Sequence, residues 1–264
     1  MNVNRVRFII GFGAFATASV ARIPRVNAQQ LIEPQTDDLG NQGVLYRVRL
    51  DIGTLQPVEC TAAVLPRQSF RARIIQQMQR NGAFTAVQEL ARGSGAQVAI
   101  NGGRFNGAFQ PDGLLIIDGK TIGRKRDDWI GSLTIDDAGI ASVTTKPNLL
   151  KAKYAVQGFP TLIEPGGKMG IEDDDHQYYR RTVVAQSGDA IVAMVTSRVS
   201  LFALAYALIE RPDVFYLHSI DAALNLSGAA TTGFYAKLPS GEEVVVPSFW
   251  PNRDVVTFTP VPLA

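Results

Sequence analysis

The chain has 264 residues, 46% of them hydrophobic, with 26 basic against 24 acidic side chains. Residues 1–28 hold four arginines and no acid; without them 22 basic residues face 24 acidic ones, a net of −2, which removes the electrostatic reason to expect nucleic acid as partner. Cys60 is the only cysteine, so no intrachain disulfide can form and the fold must rest on its core.

Residues 1–28 read as a secretory signal peptide. Arg5 and Arg7 supply the positive start, Phe8–Ala21 is apolar or small, and Val26-Asn27-Ala28 is a cleavage site. The alternative is an uncleaved anchor, but the apolar run is short for a bilayer, and no later stretch is long enough. A secreted or periplasmic protein with no stable membrane insertion after cleavage is expected. The 236 residues that remain suit one domain over 45–264, preceded by an extended lead-in over 29–44.

Val44–Ile52 alternates apolar and polar residues and predicts a half-buried strand; Val58–Leu65 predicts a second, with Cys60 a buried thiol. Ser69–Arg80 carries Phe70, Ile74, Ile75 and Met78 at helical spacing and predicts a helix. Thr85-x-x-Gln88 reads as a capping box for another, ending at Gly93-Ser94-Gly95. Ala96–Ile100 is a buried strand that runs into the turn Asn101-Gly102-Gly103-Arg104-Phe105.

Further strands follow at Leu114–Ile117, Trp129–Ile135, Gly139–Thr144, Tyr154–Gln157, Pro160–Glu164, Arg180–Ala185 and Ala190–Val195. Ser200 caps a helix through Ile209, Phe215–Leu217 is a short apolar strand, and Val244–Val246 and Val255–Thr259 close the chain. Strands dominate. The fold class is α+β, a single domain with a large mixed β-sheet and helices packed on it.

The stretch Ile220–Tyr235 carries the most chemistry. Asn225 falls on the face opposite Leu224 and Leu226, and the small residues Ser227-Gly228-Ala229-Ala230 precede Thr231 and Thr232. Such a turn lets backbone N–H groups approach an anion, phosphate among them; a tight hairpin with no function is the alternative.

Four segments in order resemble the phosphodiester glycosidase family, that of the lysosomal uncovering enzyme and its bacterial relatives. They are Ala99-Ile100-Asn101-Gly102-Gly103-Arg104-Phe105, Val156-Gln157-Gly158-Phe159-Pro160 through Gly167-Lys168, Arg181-Thr182-Val183-Val184-Ala185, and Leu224–Tyr235. The resemblance in order and spacing covers roughly residues 45–260. The departures are Ser227 where the family has Asp, Ala229 for its second Gly, Ala230 and Thr231 for Pro-Ser, and Gly158-Phe159 for Ser-Gly.

The resemblance implies a carbohydrate or sugar-phosphate ligand; the residues assign no metal ligand and no cofactor. Its expected catalytic residues are Asn101, Arg181 and Ser227; Gly102, Gly103, Arg104, Gly228, Thr231 and Thr232 are expected to bind substrate. Arg181 suits a phosphate, since a guanidinium grips two oxygens at once; an ion pair with a surface acid is its plainer role. Glycoside cleavage also needs a carboxylate. Asp112 reads first as a turn residue, Glu172–Asp175 as a solvated loop or, with His176, a hard-cation site, and Asp221 lies six residues from Ser227. His218 reads as a packed histidine rather than a base. Two functions remain: hydrolysis of a glycosyl phosphodiester or related envelope glycan, or non-catalytic binding of a phosphosugar or glycan, which Ser227 favours.

Overall fold

The structure, a computed structural model, describes residues 34–52, 57–77 and 85–262; the expected signal peptide lies outside them. In chain order the strands are β1 (Gln35–Gly40), β2 (Gly43–Leu50), β3 (Val58–Pro66) and β4 (Phe70–Gln76), then helix α1 (Val87–Ser94) and β5 (Val98–Asn101). Next come β6 (Leu115–Ile117), β7 (Lys120–Thr121), β8 (Ser132–Ile135), β9 (Ala141–Thr144), β10 (Tyr154–Gln157), β11 (Thr161–Glu164) and β12 (Lys168–Met169). β13 (Tyr179–Ser187) and β14 (Ala190–Val199) form a long hairpin before α2 (Leu201–Glu210). β15 (Ala222–Asn225), β16 (Phe234–Lys237), β17 (Glu243–Val246) and β18 (Asp254–Pro260) complete the chain.

The strands form three sheets, not one: eight strands in the order β1-β2-β3-β14-β13-β15-β11-β12, five in the order β7-β6-β10-β8-β9, and five in the order β17-β16-β5-β18-β4. Neighbours such as β13 and β14, β14 and β3, and β5 and β16 all run antiparallel, so the expected mixed sheet is corrected. Parallel neighbours need long crossovers, usually helical, and the described residues hold only two α-helices. The domain is sheet-dominated.

The main core lies where one face of the eight-stranded sheet meets the smaller sheets; Leu45, Val184, Leu224, Ile100, Leu133 and Phe258 are buried there. The opposite face of the large sheet packs under α2 through Met194, Val183, Leu204 and Leu208. Both faces of β13 are therefore covered, and its middle reads as an unbroken apolar run rather than an alternation. Cys60 sits in the second core, where burial pushes its thiol up to about 12, so it is an inert packing residue.

Four expectations need correction. Phe70–Gln76 is a strand, not a helix. Phe70, Ala72 and Ile74 point inward and Arg73 outward, and β18 pairs along its whole length. Phe70 and Ile74, four apart, share a face at either period, so pairing with β18 decided between them; Met78 and Arg80 lie outside the described residues. Within the lead-in, β1 pairs with β2, buries Leu39 and joins Asp37 to Arg47 at 2.5 Å. Helix α1 is capped by Ala86, whose backbone N–H donates to Glu89 at 3.2 Å, one register on from the expected box. Phe215 ends a 3-10 turn, Pro212–Phe215, instead of forming a strand, and His218 beyond it is exposed rather than packed.

Candidate functional site

The chain between β15 and β16 leaves the eight-stranded sheet and enters a five-stranded one. Where it crosses, Asn101 at the end of β5 holds it. Asn101 Nδ2 donates to the Ser227 carbonyl at 3.1 Å. Its Oδ1 accepts from the Thr182 hydroxyl at 2.6 Å and from Gly233 N–H at 3.0 Å. The Ser227 N–H donates to the Gly102 carbonyl, and the Leu226 N–H to that of Thr182. One fully buried amide thus ties three motifs, far apart in sequence, into one corner.

A cleft of about 470 Å³ opens over this corner, lined by Arg104, Phe105, Tyr179, Arg181, Asn225, the loop Leu226–Thr231, and Trp250. Of the expected site residues, Arg104, Arg181, Ser227, Gly228 and Thr231 line it. Asn101, Gly102, Gly103 and Thr232 do not. Asn101 has spent its hydrogen-bonding groups behind the loop, so an expected contact with ligand becomes a positioning role. A Cβ on Gly102 would come within 1.7 Å of Asp254 Oδ1, and Gly103 N–H donates to that same oxygen at 2.9 Å. Gly102 permits close packing against Asp254, and Gly103, whose Cβ would come within 2.6 Å of Val156 Cγ2, close packing against β10, rather than close approach of a ligand. Thr232 is fully buried with no hydrogen-bond partner for its hydroxyl.

Arg181 sets the electrostatics. Only 7% of it is exposed, yet among the described residues it has no ion pair within 4.0 Å. Its Nε donates to the Val199 carbonyl at 3.0 Å, another guanidinium nitrogen donates to Gln177, and its Cζ stands 5.3 Å over the Tyr179 ring. Burial lowers its pKa from the arginine value, while the charge of Asp175 acts in the opposite sense. A guanidinium held this way by neutral carbonyls and a ring is oriented but not neutralised, an arrangement suited to an incoming anion.

The Ser227 hydroxyl lies 2.8 Å from that of Thr231, which itself donates to the Gly228 carbonyl at 2.7 Å. Thr231 has used its proton, so the Ser227 hydroxyl donates to it. No carboxylate or imidazole among the described residues bonds to Ser227, so nothing is placed to take its proton. Ala229, where the family has its second Gly, keeps a left-handed backbone with φ 58°. Asn225 Nδ2 donates to the Phe159 carbonyl at 2.6 Å, which fixes the amide's orientation and leaves Oδ1 without a partner.

The candidate carboxylates are dispersed. Asp112 pairs with Arg126 at 3.5 Å, and Asp221 accepts from Gly188 N–H at 2.6 Å, at the end of β15 away from Asn225. Asp174 accepts from the Ser200 hydroxyl at 3.0 Å, and Asp175 from Gln177 N–H at 2.9 Å. No group of three or more His, Cys, Asp or Glu among the described residues is arranged to hold a metal ion. No helix among them is long and apolar enough to cross a membrane.

Sequence reasoning passed over several residues. Asp254 and its neighbour Arg253 form a buried pair at 3.4 Å, and Arg253 also donates to the Phe109 carbonyl, bracing the loop that carries Arg104. Burial raises the Asp254 carboxyl above its usual range; Gly103 N–H and Arg253 pull it down by less. Gln157 accepts from Leu114 and Arg126 N–H and donates to the Arg126 and Trp129 carbonyls. Trp250 and Tyr179 lacked any periodic signal, although the prolines at 247 and 251 mark a shaped loop.

Fold and cleft together define a protein of antiparallel sheets that presents an unpaired buried guanidinium and a small-residue turn in one cleft. A sequence model of the phosphodiester glycosidase family matches residues 94–259, and the chain belongs to that family. No curated protein matches it in sequence. Among solved structures, it is similar to the catalytic domain of zebrafish N-acetylglucosamine-1-phosphodiester alpha-N-acetylglucosaminidase, auto-inhibited there by its pro-peptide. That likeness has TM-score 0.60 and 15% identity, over 89% of this chain and 86% of that one. A hypothetical protein from Synechocystis gives TM-score 0.62 and 11% identity over 86% and 64%. A candidate exported protein from Burkholderia pseudomallei gives 0.51 and 10% over 77% and 74%. At these identities the likeness is one of fold.

Proposed function

We propose that this is an exported hydrolase of glycosyl phosphodiesters, acting on a sugar phosphate or related glycan of the cell envelope. The observation that carries this reading is Arg181, a buried guanidinium without a counter-ion among the described residues, on the wall of the cleft. In this reading Arg181 holds the phosphate and stabilises the charge that develops as it leaves the anomeric carbon. Phosphate is a good leaving group, so protonation matters less than in ordinary glycosides. The loop Ser227–Thr231 offers hydroxyls and backbone polar groups to the sugar, and the unpartnered Asn225 Oδ1 accepts from a sugar hydroxyl.

Water still needs a base. No carboxylate among the described residues lines the cleft and Ser227 has no partner for its proton, so in this reading wild-type turnover is slow. The test is release of free hexose from a sugar-1-phosphate diester, with Arg181→Ala beside the wild type. Loss of release in Arg181→Ala supports the reading. Full activity in Arg181→Ala would refute it. Tight binding without release by any variant would leave the alternative, a phosphosugar-binding relative.

A further inference from the structure

We propose that Trp250 forms a pyranose-stacking subsite at the mouth of the cleft, so that the ligand is selected by its sugar ring as well as its anionic group. The inference rests on the phosphosugar reading of the cleft. The chain has two tryptophans in opposite circumstances. Trp129 is 5% exposed, stacked on Phe159 at 5.5 Å, with the Arg104 and Arg126 guanidinia 5.7 and 5.0 Å from its ring. Trp250 is 58% exposed, lines the cleft with Arg181 and Ser227, and carries no ring or guanidinium among the described residues.

The chain around Trp250 is anchored. Phe249 N–H donates to the Ala230 carbonyl at 2.7 Å, which ties this segment to the cleft's own loop. Arg180 lies 4.8 Å over the Phe249 ring and donates to the Pro247 carbonyl at 2.9 Å. On the other side Asn252 and Arg253 are buried. A wide apolar face is therefore held in water beside a cationic wall. An amphipathic ligand suits that pairing: a pyranose offers C–H groups to the indole, hydroxyls to Ser227 and Thr231, and an anomeric phosphate to Arg181.

The test titrates the mature protein with hexose-1-phosphate, inorganic phosphate, a neutral N-acetylglucosamine trisaccharide and phenyl phosphate. Calorimetry and tryptophan emission are the readouts. Hexose-1-phosphate should bind and shift the emission. Trp250→Ala should weaken it roughly tenfold and leave inorganic phosphate within about twofold, while Trp250→Phe should keep most of the affinity. Arg181→Ala should weaken both anions. Equal loss of both in Trp250→Ala, or loss of neither, overturns the subsite, as does tighter binding of phenyl phosphate than of the sugar phosphate. If wild type binds neither anion, the phosphosugar reading falls. Trp250-dependent binding of the trisaccharide would then still sustain the subsite, and no binding would overturn it too.

Discussion

Asn101→Ala should damage folding more directly than chemistry. The substitution removes three hydrogen bonds made by a fully buried amide, those to the Thr182 hydroxyl, Gly233 N–H and the Ser227 carbonyl. The partners are themselves buried, and water cannot replace Asn101 without opening the sheet corner. A stranded buried polar group costs ~1–3 kcal/mol; the Thr182 hydroxyl can turn elsewhere, so about 3–5 kcal/mol is expected for the site. For a chain of this length each kcal/mol is ~2–4 °C in melting temperature, and a loss of roughly 6–20 °C should follow. Urea titration and a thermal melt of the mature protein measure both. Hexose-phosphate affinity at a temperature where the variant is folded then reports what remains of the cleft. A variant as stable as wild type, within about 1 kcal/mol, that has lost binding would refute the positioning role and restore Asn101 as a ligand contact.

Ser227→Asp should raise turnover of a sugar-1-phosphate diester that wild type handles poorly, by up to ~10²–10⁴-fold, the usual worth of a positioned base; fast wild-type turnover left unimproved would show that another residue supplies the chemistry. Ala229→Gly should stabilise the protein by about 0.5–1 kcal/mol in urea, because relief of the left-handed strain at φ 58° outweighs the added freedom of the unfolded chain; a destabilised variant would contradict this. Asp254 holds its proton more tightly folded than unfolded, so its contribution to stability falls as pH rises from about 3.9, the unfolded value, through its raised folded value. Asp254→Asn should lack that fall and gain on wild type in urea midpoints as pH rises above about 3.9, whereas parallel curves would count against it. Export predicts a mature N-terminus after Ala28 by mass spectrometry, and an intact Met1 on a cytoplasmic protein would contradict it.

The sequence by itself determined the family and most of the strands. Motifs such as Asn101-Gly102-Gly103 and Leu224–Gly233 keep their spacing because each is a strand end with a turn, and local chemistry writes such turns plainly. It also marked Arg181, which opens the family-like motif Arg181-Thr182-Val183-Val184-Ala185 and whose guanidinium suits a phosphate. Only the tertiary structure decided which motif residues face the cleft. Asn101 and Arg181 look alike as polar residues beside apolar runs. One turns inward to bind three sheet-crossing groups and the other lines the cleft, a difference set by the pairing of β5 with β16 and of β13 with β15. The same holds for Phe70–Gln76, whose pattern fits helix or strand until β18 lies beside it. Trp250 and Asp254 carried no local signal because their roles depend on what the chain brings to them: an anion cleft beside one, the Gly102-Gly103 backbone against the other. Local propensity is read along the chain, whereas burial, pairing and facing are fixed by groups distant in sequence.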